Sequence, residues 1–171
     1  MENQETMRIY LIGYSYSGKT TMGRQLAKLL GFRFFDTDKE IENKYHTTIP
    51  LIFERYGEKA FRIIESSILH STHTIDDVVV STGGGTPCNE ENIRFILNNG
   101  IAIYLEMSVD EIIQRAVNSH KQRPLLHGMT ESGRRQYIER HLSQRIPYYK
   151  QAHIVLSGVT VTADQIIQHL K

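Results

Sequence analysis

Cysteine is nearly absent: Cys88 stands alone in 171 residues, which excludes an internal disulfide framework. Long apolar runs are missing too, since no uninterrupted stretch approaches the roughly 20 residues that span a bilayer. With a formal net charge of +1 and basic residues dispersed among acids, the chain has no global field to draw nucleic acid or an anionic membrane. Any anion site must be built locally. The leader "MENQETM" has neither the apolar core of a signal peptide nor an Arg-rich transit pattern, so a cytoplasmic location is expected. Repeats and low-complexity tracts do not occur. Among the eight histidines, His70 and His73 have helix spacing, but no adjacent carboxylate or cysteine completes a zinc set, and they are read as solvated surface residues.

What is there has the proportions of one soluble domain, with 40% hydrophobic and 23% charged residues, and residues 1–171 are read as a single unit. Strand-like and helix-like segments alternate, which predicts an α/β fold with a central parallel sheet and helices on both faces. "RIYLIG" reads as a buried strand. Behind it, Met22, Leu26, Leu29 and Leu30 recur at helical spacing, and Gly31 is placed to end that helix. Further strands are expected at "FRFFD", "DDVVVST", "GIAIYLE" and "HIVL", with helices over 37–69, 90–99, 109–117, 134–146 and 162–171. The segment "SHKQRPLLHGMTESG" is read as irregular.

Between the first strand and the first helix lies Gly13-Tyr-Ser-Tyr-Ser-Gly18-Lys19-Thr20, a match to G-x-x-x-x-G-K-[ST] in the context that pattern requires. The glycines let successive backbone N–H groups point inward, and the following helix adds its positive end, so the loop forms an anion cradle. Lys19 would reach the β- and γ-phosphates of ATP, and the Thr20 hydroxyl would ligate Mg²⁺. The competing reading is a glycine-containing surface turn with a chance lysine.

A hydrolase built on such a loop usually keeps a carboxylate at the end of a neighbouring apolar strand. Here "VVVST" runs into Gly83-Gly84-Gly85 instead. The candidate carboxylates therefore fall in "FFDTD", where Asp36 and Asp38 are two apart and share one face of an extended chain. One would serve the metal through water and the other an acceptor hydroxyl. A helix cap explains either equally well, because "KEIENKY" begins there, and spacing alone leaves both readings open.

Three consecutive glycines are entropically costly to order, and they suggest a ligand pressed against bare backbone at the carboxyl end of a central strand. Arg62 has a structural role ready in Glu58 and Glu65 at helix-neighbour spacings, yet it lies between Phe61 and Ile63, which draws it toward the interior. Arg145 precedes "IPYY" at an expected helix end, where a cation offsets the macrodipole in any protein. Arg123 lies in a segment whose Gly128 and Gly133 suit a mobile flap over transferring phosphate.

Taken in order, "SGKTTMGRQLA", "FFDTDKEIE", "IFERYGEKAFRIIE", "STGGG", "RPLL" and "RIPYY" resemble the shikimate kinase family over nearly the whole chain. The resemblance implies a three-layer P-loop kinase fold, like that of nucleoside monophosphate kinases, with a mobile lid at about 120–133. It implies transfer of the ATP γ-phosphoryl to the 3-hydroxyl of shikimate by a monomer, without nucleic acid or membrane as partner. Carried onto matching positions, Tyr16, Ser17, Gly18, Lys19, Thr20 and Thr21, with Arg123 of the lid, would hold ATP. Asp38 would hold the acceptor hydroxyl, Arg62 and Arg145 the carboxylate, and Gly84 the substrate through its backbone; Thr20, with Asp36 behind it through water, would serve Mg²⁺. Lys19, Asp38 and Arg123 form the implied catalytic set.

Tyr16 departs from the family's frequent glycine at the middle of the loop, and only Arg115 and "SGVT" offer themselves for adenine. Gluconate kinases and nucleoside monophosphate kinases share the loop, but the latter need a site for a second base and phosphate. The glycine triplet with two separated arginines suits a small carboxylate instead. A module that binds ATP without turnover is opposed by the joint presence of Lys19, Thr20, Asp36, Asp38 and Arg123.

Overall fold

A computed structural model of the chain describes residues 6–119, 129–158 and 160–170. Five strands, β1 (Arg8–Ile12), β2 (Arg33–Asp36), β3 (Val78–Ser81), β4 (Ile101–Glu106) and β5 (Ile154–Ser157), form one sheet in the order β2-β3-β1-β4-β5, with every pairing parallel. Because strands covered on both faces alternate their side chains between two cores, β1 sends Ile9 and Leu11 to one side and Tyr10 and Ile12 to the other. The first side is closed by α1 (Lys19–Leu30) and α7 (Ala163–Leu170), through Leu26, Ala27 and Ile166. The second is closed by α4 (Glu90–Asn99), α5 (Val109–Asn118) and α6 (Glu131–Tyr149), through Ile93, Ile112, Ile138 and Leu142. This is the expected three-layer α/β architecture.

Helix starts follow local chemistry. Asn89 caps α4 by accepting from the Asn92 N–H, and Ser108 and Glu111 form a reciprocal capping box at α5. Gly31 ends α1 in the left-handed conformation, as its position in the sequence suggests.

The helical region expected over 37–69 is two helices, α2 (Thr37–Tyr45) and α3 (Ile49–Ser71). His46 turns left-handed and sends its N–H back to Glu42, while Pro50 begins a new first turn, where its missing N–H costs nothing. Gly57, at φ 77°, kinks α3. Together α2 and α3 enclose a minor core of Ile41, Ile52, Phe61 and Ile68. The start of α6 lies three residues before the expected Arg134, because Thr130 accepts from the Gly133 N–H as its cap. Its end lies beyond Ile146, with Pro147 inside it, so Arg145 stands within the helix rather than at its last turn. The macrodipole reading of Arg145 is corrected accordingly.

Among the described residues no helix is long and apolar enough to cross a membrane. Leu26 is fully buried between α1 and the sheet. Leu26→Ala is expected to lower the unfolding free energy by about 2–5 kcal/mol in urea denaturation.

Candidate active site

The connections after β1, β2 and β3 meet at the carboxyl edge of the sheet, the place where open α/β sheets take ligands. After β1, Gly13 (φ 143°) and Gly18 (φ 87°) adopt backbone angles that side chains resist, and a methyl group at Gly13 would lie 2.8 Å from the Leu105 carbonyl oxygen. Tyr16 is left-handed as well, at φ 69°. That conformation costs an ordinary residue roughly 1–2 kcal/mol, so a tyrosine carries strain where a glycine would not. Arg115 on α5 donates from Nη1 to the Tyr16 carbonyl at 3.2 Å and steadies the loop tip.

Lys19 folds back into the loop. It is only 7% exposed, and its Nζ donates to the carbonyls of Gly13 (2.9 Å) and Tyr14 (2.8 Å) and to Ser17 Oγ (3.3 Å). The ammonium is thus solvated by two carbonyls and a hydroxyl of its own loop.

Thr20 Oγ1 donates to Asp36 Oδ2 at 2.7 Å, and the other carboxylate oxygen of Asp36 accepts the Lys39 N–H at 3.2 Å. Cap and site therefore coexist in one residue. Asp38 is not on an extended chain with Asp36: α2 begins at Thr37, and Asp38 reaches the site from its first turn. Ser81, at the end of β3 where hydrolases keep an acid, places Oγ 3.5 Å from Thr20 Oγ1. A cavity of about 300 Å³ is lined by Tyr16, Lys19, Thr20, Asp36, Asp38 and Arg115, among others. Among the described residues no group of three or more His, Cys, Asp or Glu is placed to hold a metal. A hydroxyl and one or two carboxylates beside a phosphate loop are instead the hard-oxygen set that suits Mg²⁺, which keeps most of its water.

The acceptor half is organised by the glycine triplet after β3. A methyl group at Gly83 would lie 2.7 Å from Asp38 Oδ1; one at Gly84 would lie 3.2 Å from Arg145 Nη1 and 3.1 Å from Ser15 Oγ; one at Gly85 would lie 2.6 Å from Arg62 Nη1. The bare backbone therefore admits three charged side chains from three helices, besides any ligand. Arg62 also makes both ion pairs its spacing suggests, to Glu65 (2.7 Å) and Glu58 (3.2 Å). Burial pulls its pKa down, and the two glutamates outweigh that, leaving it raised. Arg123 lies outside the described residues, as does the segment 120–128 of the expected lid.

Several partners in this half carry no motif. Glu65 is 2% exposed and joins Arg62 to the Thr86 hydroxyl, at 2.7 Å each. Tyr149 donates its hydroxyl to the Gly84 carbonyl, and Cys88 lies against the same oxygen. Tyr14 puts its ring under the Arg145 guanidinium, 5.4 Å from the centroid. His141 bridges the two, with Nδ1 3.1 Å from Tyr14 Oη and Nε2 3.0 Å from Arg145 Nη2. Helix spacing gave a faint signal for His141 and Tyr149, four residues before and after Arg145. By contrast, His70 is not a solvated residue: it stacks on Phe95 at 4.3 Å.

The pKa of His141 is lowered from 6.5 to about 4, first by burial and then by the charges of Arg145 and Arg62. Between those two values the unfolded chain holds a proton that the folded chain does not. The stabilisation from His141 is therefore complete above pH 6.5 and is lost as pH falls toward 4. The stability advantage of wild type over His141→Gln, measured in urea, is expected to shrink across that window; a difference independent of pH would show that the ring ionises alike in both states.

A model of the shikimate kinase family matches residues 16–171. The chain is 42% identical to a shikimate kinase of Parabacteroides distasonis over 163 residues, 95% of this chain and 94% of that protein. The solved structure of a shikimate kinase from Bacteroides thetaiotaomicron superposes with a TM-score of 0.89 at 33% identity, covering 96% of each chain. One from Acinetobacter baumannii, in complex with shikimate, gives 0.85 at 38% identity and covers 97% of this chain and 91% of that one. With a phosphate loop, a glycine-lined edge and likeness along almost its full length, the chain belongs to the shikimate kinase family.

Proposed function

We propose that this chain transfers the γ-phosphoryl group of ATP to the 3-hydroxyl of shikimate, giving shikimate 3-phosphate and ADP. The observation that carries this reading is the seam at Gly84, which lies against Ser15 of the phosphate loop on one side and Arg145 on the other. A phosphate donor in the loop and a small acid on the arginines would meet there.

The loop amides and Lys19 receive the phosphates, and the lysine exchanges its carbonyl contacts for phosphate oxygens. Arg62 and Arg145 grip the planar carboxylate of the acceptor with paired N–H groups, which fixes the ring. Asp38, beside Gly83, orients the acceptor hydroxyl and takes its proton as the oxygen bonds to phosphorus and the ADP oxygen departs. Transfer of this kind passes through a loose transition state, so positioning and charge stabilisation outweigh proton abstraction. The Thr20 hydroxyl would ligate Mg²⁺, with Asp36 behind it through water, and the ion would supply neutralisation of phosphate charge. Arg123 and the surrounding lid are assigned to the transferring phosphate. Action as a monomer belongs to the same reading, and dependence on ATP supports a cytoplasmic setting.

The test is a coupled ADP-release assay with Mg²⁺ and a panel of hydroxy acids. Release that requires shikimate is the expected result, whereas ATP binding without acceptor-dependent turnover would favour a nucleotide-binding module. Asp38→Asn should retain ATP affinity while kcat falls by about 100-fold, and near wild-type kcat would remove Asp38 from the mechanism. Arg62→Ala should raise the KM for shikimate by roughly 10-fold or more, the worth of a charged hydrogen bond. Unchanged KM and kcat would return Arg62 to a purely structural role.

A further inference from the structure

The two arginines at the glycine edge are held in different ways. Arg62 is paired with two glutamates, whereas among the described residues no carboxylate forms an ion pair with Arg145. Arg145 rests instead on neutral groups, the face of the Tyr14 ring and the Nε2 of His141. A guanidinium offers only N–H donors, so Nε2 must accept. A neutral imidazole that accepts at Nε2 carries its proton on Nδ1, which then donates to Tyr14 Oη.

We propose that His141 is a positioning residue that aims the Arg145 guanidinium at the Gly84 edge while leaving its charge uncompensated for an incoming carboxylate. A fixed glutamate at this place would orient the arginine equally well but would compete with the substrate for it. A neutral acceptor orients without competing. The surroundings keep the ring in that state: burial comes first, the positive charges of Arg145, Arg62 and Arg140 outweigh Glu58, and the rings of Tyr14 and Tyr137 pack against it. Because Tyr14 belongs to the phosphate loop, the same contact ties the orientation of Arg145 to the loop that receives ATP.

The proposal rests on the reading that Arg145 takes the acceptor's carboxylate, and its test separates the two. Steady-state kinetics of the full chain with ATP, Mg²⁺ and shikimate are compared for His141→Leu, His141→Gln and His141→Asn. The amide of Gln reaches toward the place of Nε2 and that of Asn toward the place of Nδ1. Loss of a hydrogen bond to a charged partner is expected to raise the KM for shikimate roughly 10-fold in the Leu and Asn variants, with the KM for ATP unchanged. Gln should restore it to within about three-fold of wild type, a difference below that bond's worth. In an Arg145→Ala background, His141→Leu should add nothing further to the KM for shikimate.

Unchanged shikimate KM in the Leu and Asn variants would overturn the proposal while leaving the kinase reading intact. So would equal losses for ATP and shikimate, or an additive effect in the Arg145→Ala background. If His141→Leu does not fold, the comparison of Gln with Asn decides alone, and rescue by Asn rather than Gln counts against it. A wild-type chain that does not phosphorylate shikimate would overturn the underlying reading, and the proposal with it.

Discussion

Bare backbone at Gly83–Gly85 is the constraint on which the site depends. A side chain at Gly83 or Gly85 would displace Asp38 or Arg62 from its present place, and one at Gly84 would crowd Ser15 and Arg145. The sheet makes this possible by setting β3 between β2 and β1, so that the connections after all three strands end at one edge. The first of them holds the phosphate loop, the direct junction of β2 with α2 carries Asp36 at the strand end and Asp38 in the first helical turn, and the third supplies the glycines. Helices α3 and α6 then bring an arginine each from the same face of the sheet.

Gathering charges at a partly buried edge has a physical cost that the chain meets by pairing. Asp36 is shared between the Thr20 hydroxyl and the first turn of α2, and Glu65 between Arg62 and Thr86. Glu65 is the buried member of its pair, and removing Arg62 would leave that carboxylate with the Thr86 hydroxyl as its partner. Lys19 is surrounded by carbonyls of its own loop. Arg145 differs in being supported by an aromatic face and a neutral imidazole, an arrangement suited to a group whose counter-ion arrives with the substrate.

The sequence made the parallel sheet, the phosphate loop and the end of α1 legible because each depends on local rules, namely short continuous apolar strands, paired glycines before a lysine, and a terminal glycine. It also raised both roles of Asp36, and the structure shows the cap together with the bond to Thr20. Composition places a helical region over 37–69 but not the break within it, because that break comes from a left-handed histidine, His46. The end of α6 was misplaced because Pro147 sits inside a helix. His141 and Glu65 carry only a helix-spacing signal, four residues before Arg145 and three after Arg62, and Tyr14 only its place in the loop; their importance lies in what they touch across the fold, which spacing does not convey. Tyr16 was noticed as unusual, and its left-handed backbone supplies the reason.

In the proposed reaction one pocket at the glycine edge receives a small carboxylate between two arginines, with its hydroxyl beside Asp38 and facing the phosphate loop. A crystal structure of the chain with shikimate and ADP tests it most directly. The carboxylate is expected within hydrogen-bond distance of both Arg62 and Arg145, and the 3-hydroxyl within reach of Asp38. Shikimate bound away from Gly83–Gly85, or with its carboxylate on neither arginine, would contradict it.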